Sequence, residues 1–228
     1  MNIKCFLPCR KGSERIPQKN IKPFAGYEHG LLEIKLQQLI ATTKIDEIIL
    51  STNDEEIISY AESIGHSKLR IHKRINSLSS SSTSTDELVA HALELIPDAH
   101  ILWTHVTSPF ISSQNYDEII DTYLASLKCG HDSLMTTSLI HGFLWNDHAP
   151  INYDRSIEKW PRTQTLEPVH EINSAIFLSH SCNYRKYNDR IGESPLLHPL
   201  DKIKSFDIDW PNDFLIAESM VKNRLVTV

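Results

Sequence analysis

Between Arg10 and Lys22 the chain places Arg10, Lys11, Arg15, Lys19 and Lys22 against a single acid, Glu14. This cluster stands out because the whole chain of 228 residues carries 23 Lys and Arg against 29 Asp and Glu, a formal net charge of −6. A general positive field that would coat nucleic acid is therefore excluded, and an anionic ligand must be met locally. A polyphosphate suits such a loop, although a basic loop that is merely solvated has the same composition. The segment has no GxxxxGK[ST], which disfavours a P-loop kinase or ATPase, and no GxGxxG, so no dinucleotide cofactor is indicated.

A second candidate lies near the other end of the sequence. In Asp207-Ile208-Asp209 two carboxylates are separated by one apolar residue. On an extended segment both would project from the same face. Such an oxygen-rich corner is what magnesium prefers, with phosphate and water oxygens completing its shell. The same pattern is also common on ordinary surfaces.

The elements that must position these groups follow from periodicity. Short apolar runs alternate with amphipathic helical stretches, which predicts a doubly wound α/β fold with a mainly parallel sheet and helices on both faces. Strands are expected at Ile3 to Leu7, Ile45 to Ser51, Leu69 to His72, Ile101 to His105, Ser133 to Ser138, Asn173 to Leu178 and Ile203 to Asp209. Helices are expected over Leu31 to Ile40, after Asn53 with Ile57, Ile58, Ala61 and Ile64 on one face, near Ser84, around Tyr116 to Leu127, and from Pro211. Ser84 and Glu87 have the spacing of a capping box. The basic loop then leaves the carboxyl end of the first strand, where open α/β sheets bind ligands. The serine-rich run from Ser77 to Thr85 reads either as a flexible linker or as a binding loop at that same end.

Length favours one domain over residues 1–228, interrupted by a Pro-, Asn-, Asp- and His-rich excursion over 141–169. Cys5, Cys9, Cys129 and Cys182 form no CxxC pair and read as reduced thiols, and the 12 histidines form no HxxxH or HExxH pattern. Without a signal-peptide pattern or an apolar run approaching the roughly 20 residues that span a bilayer, a cytoplasmic protein with no membrane partner is expected.

The segment LPCRKGSERIPQKNIKPFAG resembles the opening of the acylneuraminate cytidylyltransferases, where a first strand leads into a pattern of the form ARxGSxRxPxKNxxxxxG. Further likenesses follow in the same order: LSTND, TSPF at Thr107 to Phe110, RTQTLEPVHEINSAIF from Arg162 to Phe177, and DIDWPNDFLIAE from Asp207 to Glu218. The resemblance implies a Rossmann-like nucleotidyltransferase fold that moves CMP from CTP to an acidic sugar of the sialic acid type. It assigns the triphosphate to Arg10 and Lys19, with Ser13, Arg15 and Asn20 as further nucleotide contacts. It assigns Mg2+ to Asp207 and Asp209, and base and ribose contacts to Arg74, Thr83 and Thr85. The catalytic set is then Arg10, Lys19, Asp207 and Asp209.

Two departures bear on specificity. Ser81 stands where the family often has Asp. His105 stands where sialic acid enzymes commonly carry Gln in QPTSP, and an imidazole brings a group that can titrate near neutral pH, although a satisfied histidine at a strand end reads equally well. The acceptor set is His105, Thr107, Ser108, Arg162, Gln164 and Asn173, with Arg162 suited to a carboxylate through two parallel hydrogen bonds. The resemblance also implies a homodimer, with Phe143 and Trp145 of the excursion near the interface. The competing readings are a cytidylyltransferase for 3-deoxy-octulosonate or another ulosonic acid, a nucleotidyltransferase using another nucleotide and a sugar phosphate, and a binding module that has lost the chemistry.

Overall fold

In the first strand, β1 (Ile3–Pro8), side chains alternate between two apolar environments. Ile3, Cys5 and Leu7 enter one core and Phe6 the other. The same division recurs in β2 (Glu47–Thr52), where Ile48 and Leu50 face one way and Ile49 the other, and in β4 (His100–Thr104), where Leu102 opposes Ile101 and Trp103. A sheet apolar on both sides must be covered on both sides, because each fully buried side chain of this size gains about 1.5–3 kcal/mol. The computed structural model describes residues 1–80 and 83–228; Ser81, the first specificity departure, lies outside the described residues.

One face is covered by α1 (Gly30–Ala41), α2 (Glu55–Ile64), α4 (Ser113–Ser126) and α6 (Pro211–Lys222), which contribute Leu32, Ile57, Tyr116 and Phe214 among others. The opposite face is covered by α3 (Thr85–Leu95) and α5 (Ser181–Tyr187) through Val89, Ala92 and Tyr184. The remaining strands are β3 (Leu69–Lys73), β5 (Ser133–Ile140), β6 (Val169–His180) and β7 (Pro195–Leu200), giving a seven-stranded sheet of order β3-β2-β1-β4-β6-β5-β7. β6 alone runs antiparallel, to both β4 and β5, while the other pairings are parallel.

Local chemistry sets the helix starts. Asp54 caps α2 by accepting from Glu56 N at 3.1 Å. In the expected capping box, Ser84 Oγ accepts from Glu87 N at 3.1 Å and Glu87 Oε2 accepts from Ser84 N at 2.7 Å.

The strand expected over Ile203 to Asp209 does not form. Asp201 Oδ1 accepts from Ile203 N and Lys204 N, and Ser205 N donates to Asp201 O, which curls that segment into a turn. The last strand lies just upstream, at Pro195–Leu200, and its two prolines are tolerated because β7 is an edge strand. The short helix α5 was also not signalled by periodicity. Its first turn is capped by His180 Nδ1, which accepts from Cys182 N.

Candidate active site

The basic loop is held in shape from within. Ile16 is buried and anchors the loop to the core. Asn20 Nδ2 donates to Arg10 O at 3.1 Å, and Asn20 O accepts from Leu32 N, so both ends of the loop are tied to each other and to α1. The Asn20 side chain thus braces the loop backbone. Lys11 N donates to Asn53 Oδ1 at 2.8 Å, fixing the loop against the end of β2.

The carboxyl-terminal pair reaches the same place. Ile208 is fully buried, its N–H donates to Thr107 O at 2.9 Å, and its carbonyl accepts from Lys19 Nζ at 2.8 Å. Lys19 Nζ also lies 3.4 Å from Asp209 Oδ1, and Arg15 Nη1 lies 3.2 Å from Asp209 Oδ2 while its guanidinium stacks over Trp210. A cleft of about 240 Å³ results, lined by Arg10, Ser13, Arg15, Lys19, Asn20, His105, Thr107 and Asp209, together with Pro8, Glu14 and Val106. Two segments nearly two hundred positions apart therefore share one concavity.

Asp207 sits beside this cleft, half-buried. Burial, and after it the neighbouring Asp209 charge, pushes its carboxyl above the ordinary range, against a lowering hydrogen bond from Thr107. Its Oδ1 is buried with no hydrogen-bond partner among the described residues. A carboxylate oxygen held in that way is costly unless a cation or donor meets it. A hard divalent cation carried by only two carboxylates, with phosphate oxygens supplying further ligands, fits this donor set.

His105 lies just past β4 and lines the cleft. Its Nε2 accepts from the indole N–H of Trp103 at 2.9 Å. An indole nitrogen only donates, so the neutral ring carries its proton on Nδ1. Burial, with the charges of Arg190, Lys19 and Lys35, holds its pKa down to about 3. An imidazole can titrate near neutral pH, but this one is held as a neutral donor.

The remaining sequence candidates are dispersed. Ser108 is buried and offers its carbonyl to Lys35 Nζ at 2.8 Å. Arg74 is buried, with Nε and Nη2 unpartnered among the described residues, and its charge is felt at Cys9 at the base of the loop. Thr83 Oγ1 pairs with Ser80 Oγ at 3.2 Å and donates to Ser77 O, while Thr85 is exposed at the start of α3. Arg162 and Gln164 are exposed in the excursion and do not line the cleft. Asn173 is buried in β6, where its Oδ1 accepts from Thr136 Oγ1 at 2.6 Å and from Ala175 N at 3.2 Å beside a register shift in the β5–β6 pairing. Its carbonyl oxygen is committed to the sheet.

Two cations escaped the sequence reading. Lys35 on α1 is fully buried and donates to Ser108 O and Tyr116 Oη, both at 2.8 Å, and burial lowers its pKa to about 7. Tyr116 in turn bonds Thr104 Oγ1, which donates to Ala175 O. Arg190 lies over the rings of Phe177 and Trp103, close to His105. No motif marks either one.

Residues 5–141 match the sequence profile of the cytidylyltransferase family. The chain belongs to that family. Among curated cytidylyltransferases, the pseudaminic acid cytidylyltransferase of Campylobacter jejuni is 31% identical over 129 residues, 53% of this chain and 54% of that protein. The N-acylneuraminate cytidylyltransferase of Escherichia coli O18:K1:H7 is 26% identical over 222 residues, 94% of this chain and 51% of that protein. The chain spans about half the length of these curated relatives. Solved cytidylyltransferase structures share the fold: a CMP:2-keto-3-deoxy-manno-octonic acid synthetase complexed with CTP superposes with a TM-score of 0.64 at 14% identity, covering 98% of this chain and 100% of the other. A 4-diphosphocytidyl-2C-methyl-D-erythritol synthase from Anaerococcus prevotii gives 0.67 at 16% identity, covering 97% and 98%.

Proposed function

We propose that this chain transfers CMP from CTP to the anomeric hydroxyl of a sialic-acid-like nonulosonic acid and releases pyrophosphate. The observation that carries the reading is the meeting of Lys19 with Asp209 and the Ile208 carbonyl in the cleft lined by Arg10. The family and the names of the two curated relatives support the choice of nucleotide and acceptor class.

In this reading Arg10 and Lys19 bind and orient the phosphates, and Arg15 and Ser13 close the loop around them. Phosphoryl-type transfer depends mainly on positioning and charge neutralisation, which a preformed cationic loop provides without reorganising. Asp207 and Asp209 would hold Mg2+, which when bound supplies positive charge to the phosphates. His105, donating from Nδ1, positions an acceptor oxygen but holds no exchangeable charge at neutral pH. The acceptor oxygen forms the new bond to the α-phosphorus as the bond to the bridging oxygen breaks, and the hydroxyl proton leaves to solvent.

We place the enzyme with the CTP pool of the cytoplasm and read it as a homodimer. Phe143, Trp145 and Trp160 are exposed on the excursion and form an aromatic surface suited to a second copy. No helix among the described residues is long and apolar enough to cross a membrane.

Pyrophosphate release tests the proposal directly, with CTP, magnesium and a panel containing N-acetylneuraminate, pseudaminate and 3-deoxy-octulosonate. Sugar-dependent release with a nonulosonic acid is the expected result. Release only with 3-deoxy-octulosonate would replace the acceptor, and CTP binding without any release would return the chain to the class of binding modules.

A further inference from the structure

Arg190 follows α5 in a loop that carries no recognised motif, yet its guanidinium carbon lies 3.7 Å from the Phe177 ring centroid and 5.2 Å from that of Trp103. Both rings belong to the sheet: Trp103 precedes Thr104, the last residue of β4, and Phe177 is its partner across the β4–β6 pairing. Trp103 donates its indole N–H to His105, which lines the cleft, so the guanidinium is linked to the cleft through two buried rings and the imidazole. Among the described residues the Arg190 guanidinium makes no hydrogen bond and no ion pair, and its contacts are the two ring faces. Asp189 acts on it only at a distance and accepts from Ile191 N instead.

A half-buried guanidinium without a carboxylate partner is an expensive arrangement, since a desolvated cation is normally paired. Stacking on two aromatic faces offsets part of that cost and also fixes the plane of the fork. A fixed, unpaired fork suits a planar anion with two oxygens. Phosphate is already provided for by the loop at Arg10 and Lys19. Beside His105, on the β4–β6 side of the cleft, the remaining anion is the acceptor's own acid group. Arg162, the guanidinium that the family resemblance and its residue type suggested for this task, is exposed in the excursion.

We propose that Arg190, laid on Phe177 and Trp103 beside His105, is the residue that recognises the carboxylate of the acceptor sugar. The assignment rests on the acidic-sugar reading above. Arg190 then determines specificity: it selects acids over neutral sugars, and it reads the acid group independently of the nucleotide.

The test uses steady-state kinetics on the full chain with wild type, R190M, R190Q and R190K. The acceptor is whichever acidic sugar the wild type turns over, supplied as the acid and as its carboxamide. R190M and R190Q are expected to raise the acceptor KM by about 10- to 100-fold while leaving the CTP KM within about twofold. The carboxamide should cost the wild type a similar factor and cost R190Q little more, and R190K should recover only part of the loss because a point charge lacks the fork. A purely structural role would instead shift the melting temperature and the CTP KM together with the acceptor KM, and would cost acid and carboxamide equally in the variants. That pattern, or an unchanged acceptor KM in R190Q, overturns the assignment while leaving the parent reading in place. Failure of the wild type to turn over any acidic sugar overturns both.

Discussion

Lys19 Nζ stands between the Ile208 carbonyl, at 2.8 Å, and Asp209 Oδ1, at 3.4 Å, across sequence separations of 189 and 190 residues. The lysine is nearly covered, with 12% of its side chain exposed, whereas the Asp209 side chain is 51% exposed. An ion pair so open to solvent is worth no more than about 1 kcal/mol. Under the proposed function, phosphate would displace Asp209 from Lys19 at small cost and leave the carboxylate free to meet a cation.

Asp209→Ala is accordingly expected to change the melting temperature by only a degree or two and to lower kcat by about 100-fold or more. Thermal melting and pyrophosphate release on the same preparation check this. Unfolding of the variant would show that the carboxylate holds the fold and not the chemistry.

Asp207→Asn should separate stability from activity in the opposite direction. The Asp207 carboxyl is raised above its ordinary value of 3.8, first by burial and then by Asp209. Its contribution to stability is therefore full below pH 3.8 and is lost as pH rises through the raised folded value. At neutral pH the asparagine removes that penalty and keeps an oxygen for Thr107. We expect equal or greater resistance to urea at pH 7, with turnover reduced by about 100-fold. Lower stability at pH 7 would contradict the burial argument.

Lys35 gives a slope on the alkaline side. Burial lowers its folded pKa to about 7 from 10.5. The unfolded chain thus holds more protons between those values, and its contribution to stability is full above 10.5 and lost as pH falls through 7. Urea midpoints measured from pH 7 to pH 9 should rise less steeply in Lys35→Met than in the wild type. Identical slopes would place the amine in water.

Thiol reactivity offers an independent check on the strand core. Cys5 and Cys9 are buried, and burial pushes both thiols up, Cys9 to about 12, whereas Cys129 and Cys182 are exposed. A thiolate-selective disulfide reagent should label Cys129 and Cys182 in the native protein and reach the other two only in denaturant. Rapid labelling of Cys9 would show that the base of the cationic loop opens.

Gly30 begins α1 at φ 55°, and a Cβ there would overlap the Lys22 carbonyl that closes the basic loop. Gly30→Ala should cost more than about 1 kcal/mol and weaken CTP binding as well, because the loop must shift to make room. Isothermal titration alongside a urea melt separates the two effects. Destabilisation with intact CTP affinity would show that the loop moves as a unit.

Residues whose environment is made by near neighbours in sequence were legible in advance. The alternation of Ile3, Cys5 and Leu7 with Phe6, the Ser84–Glu87 box and the charge of the Arg10–Lys22 loop are all local patterns. Lys35 was not legible, because its partners Ser108 and Tyr116 arrive from some eighty positions away and a lysine between Ile34 and Leu36 carries no mark of burial. The last strand was misplaced because prolines argue against a strand until its edge position is known, while Asp201 diverts the segment that follows, where Ile203, Phe206 and Ile208 had suggested one. Arg162 looked suited to a carboxylate by residue type, and Arg190 was silent until the sheet brought Trp103 and Phe177 side by side.

The reversed direction of β6 gives the molecule a division of labour. β5 departs and β6 returns at the end of the sheet where β1, β2 and β4 finish, so the intervening residues 141–168 hang from that end without interrupting any strand. No residue of that appendage lines the cleft, so changes in its length or sequence leave the basic loop and Asp209 as they are. A lineage could thus edit a peninsula with the engine beneath it untouched.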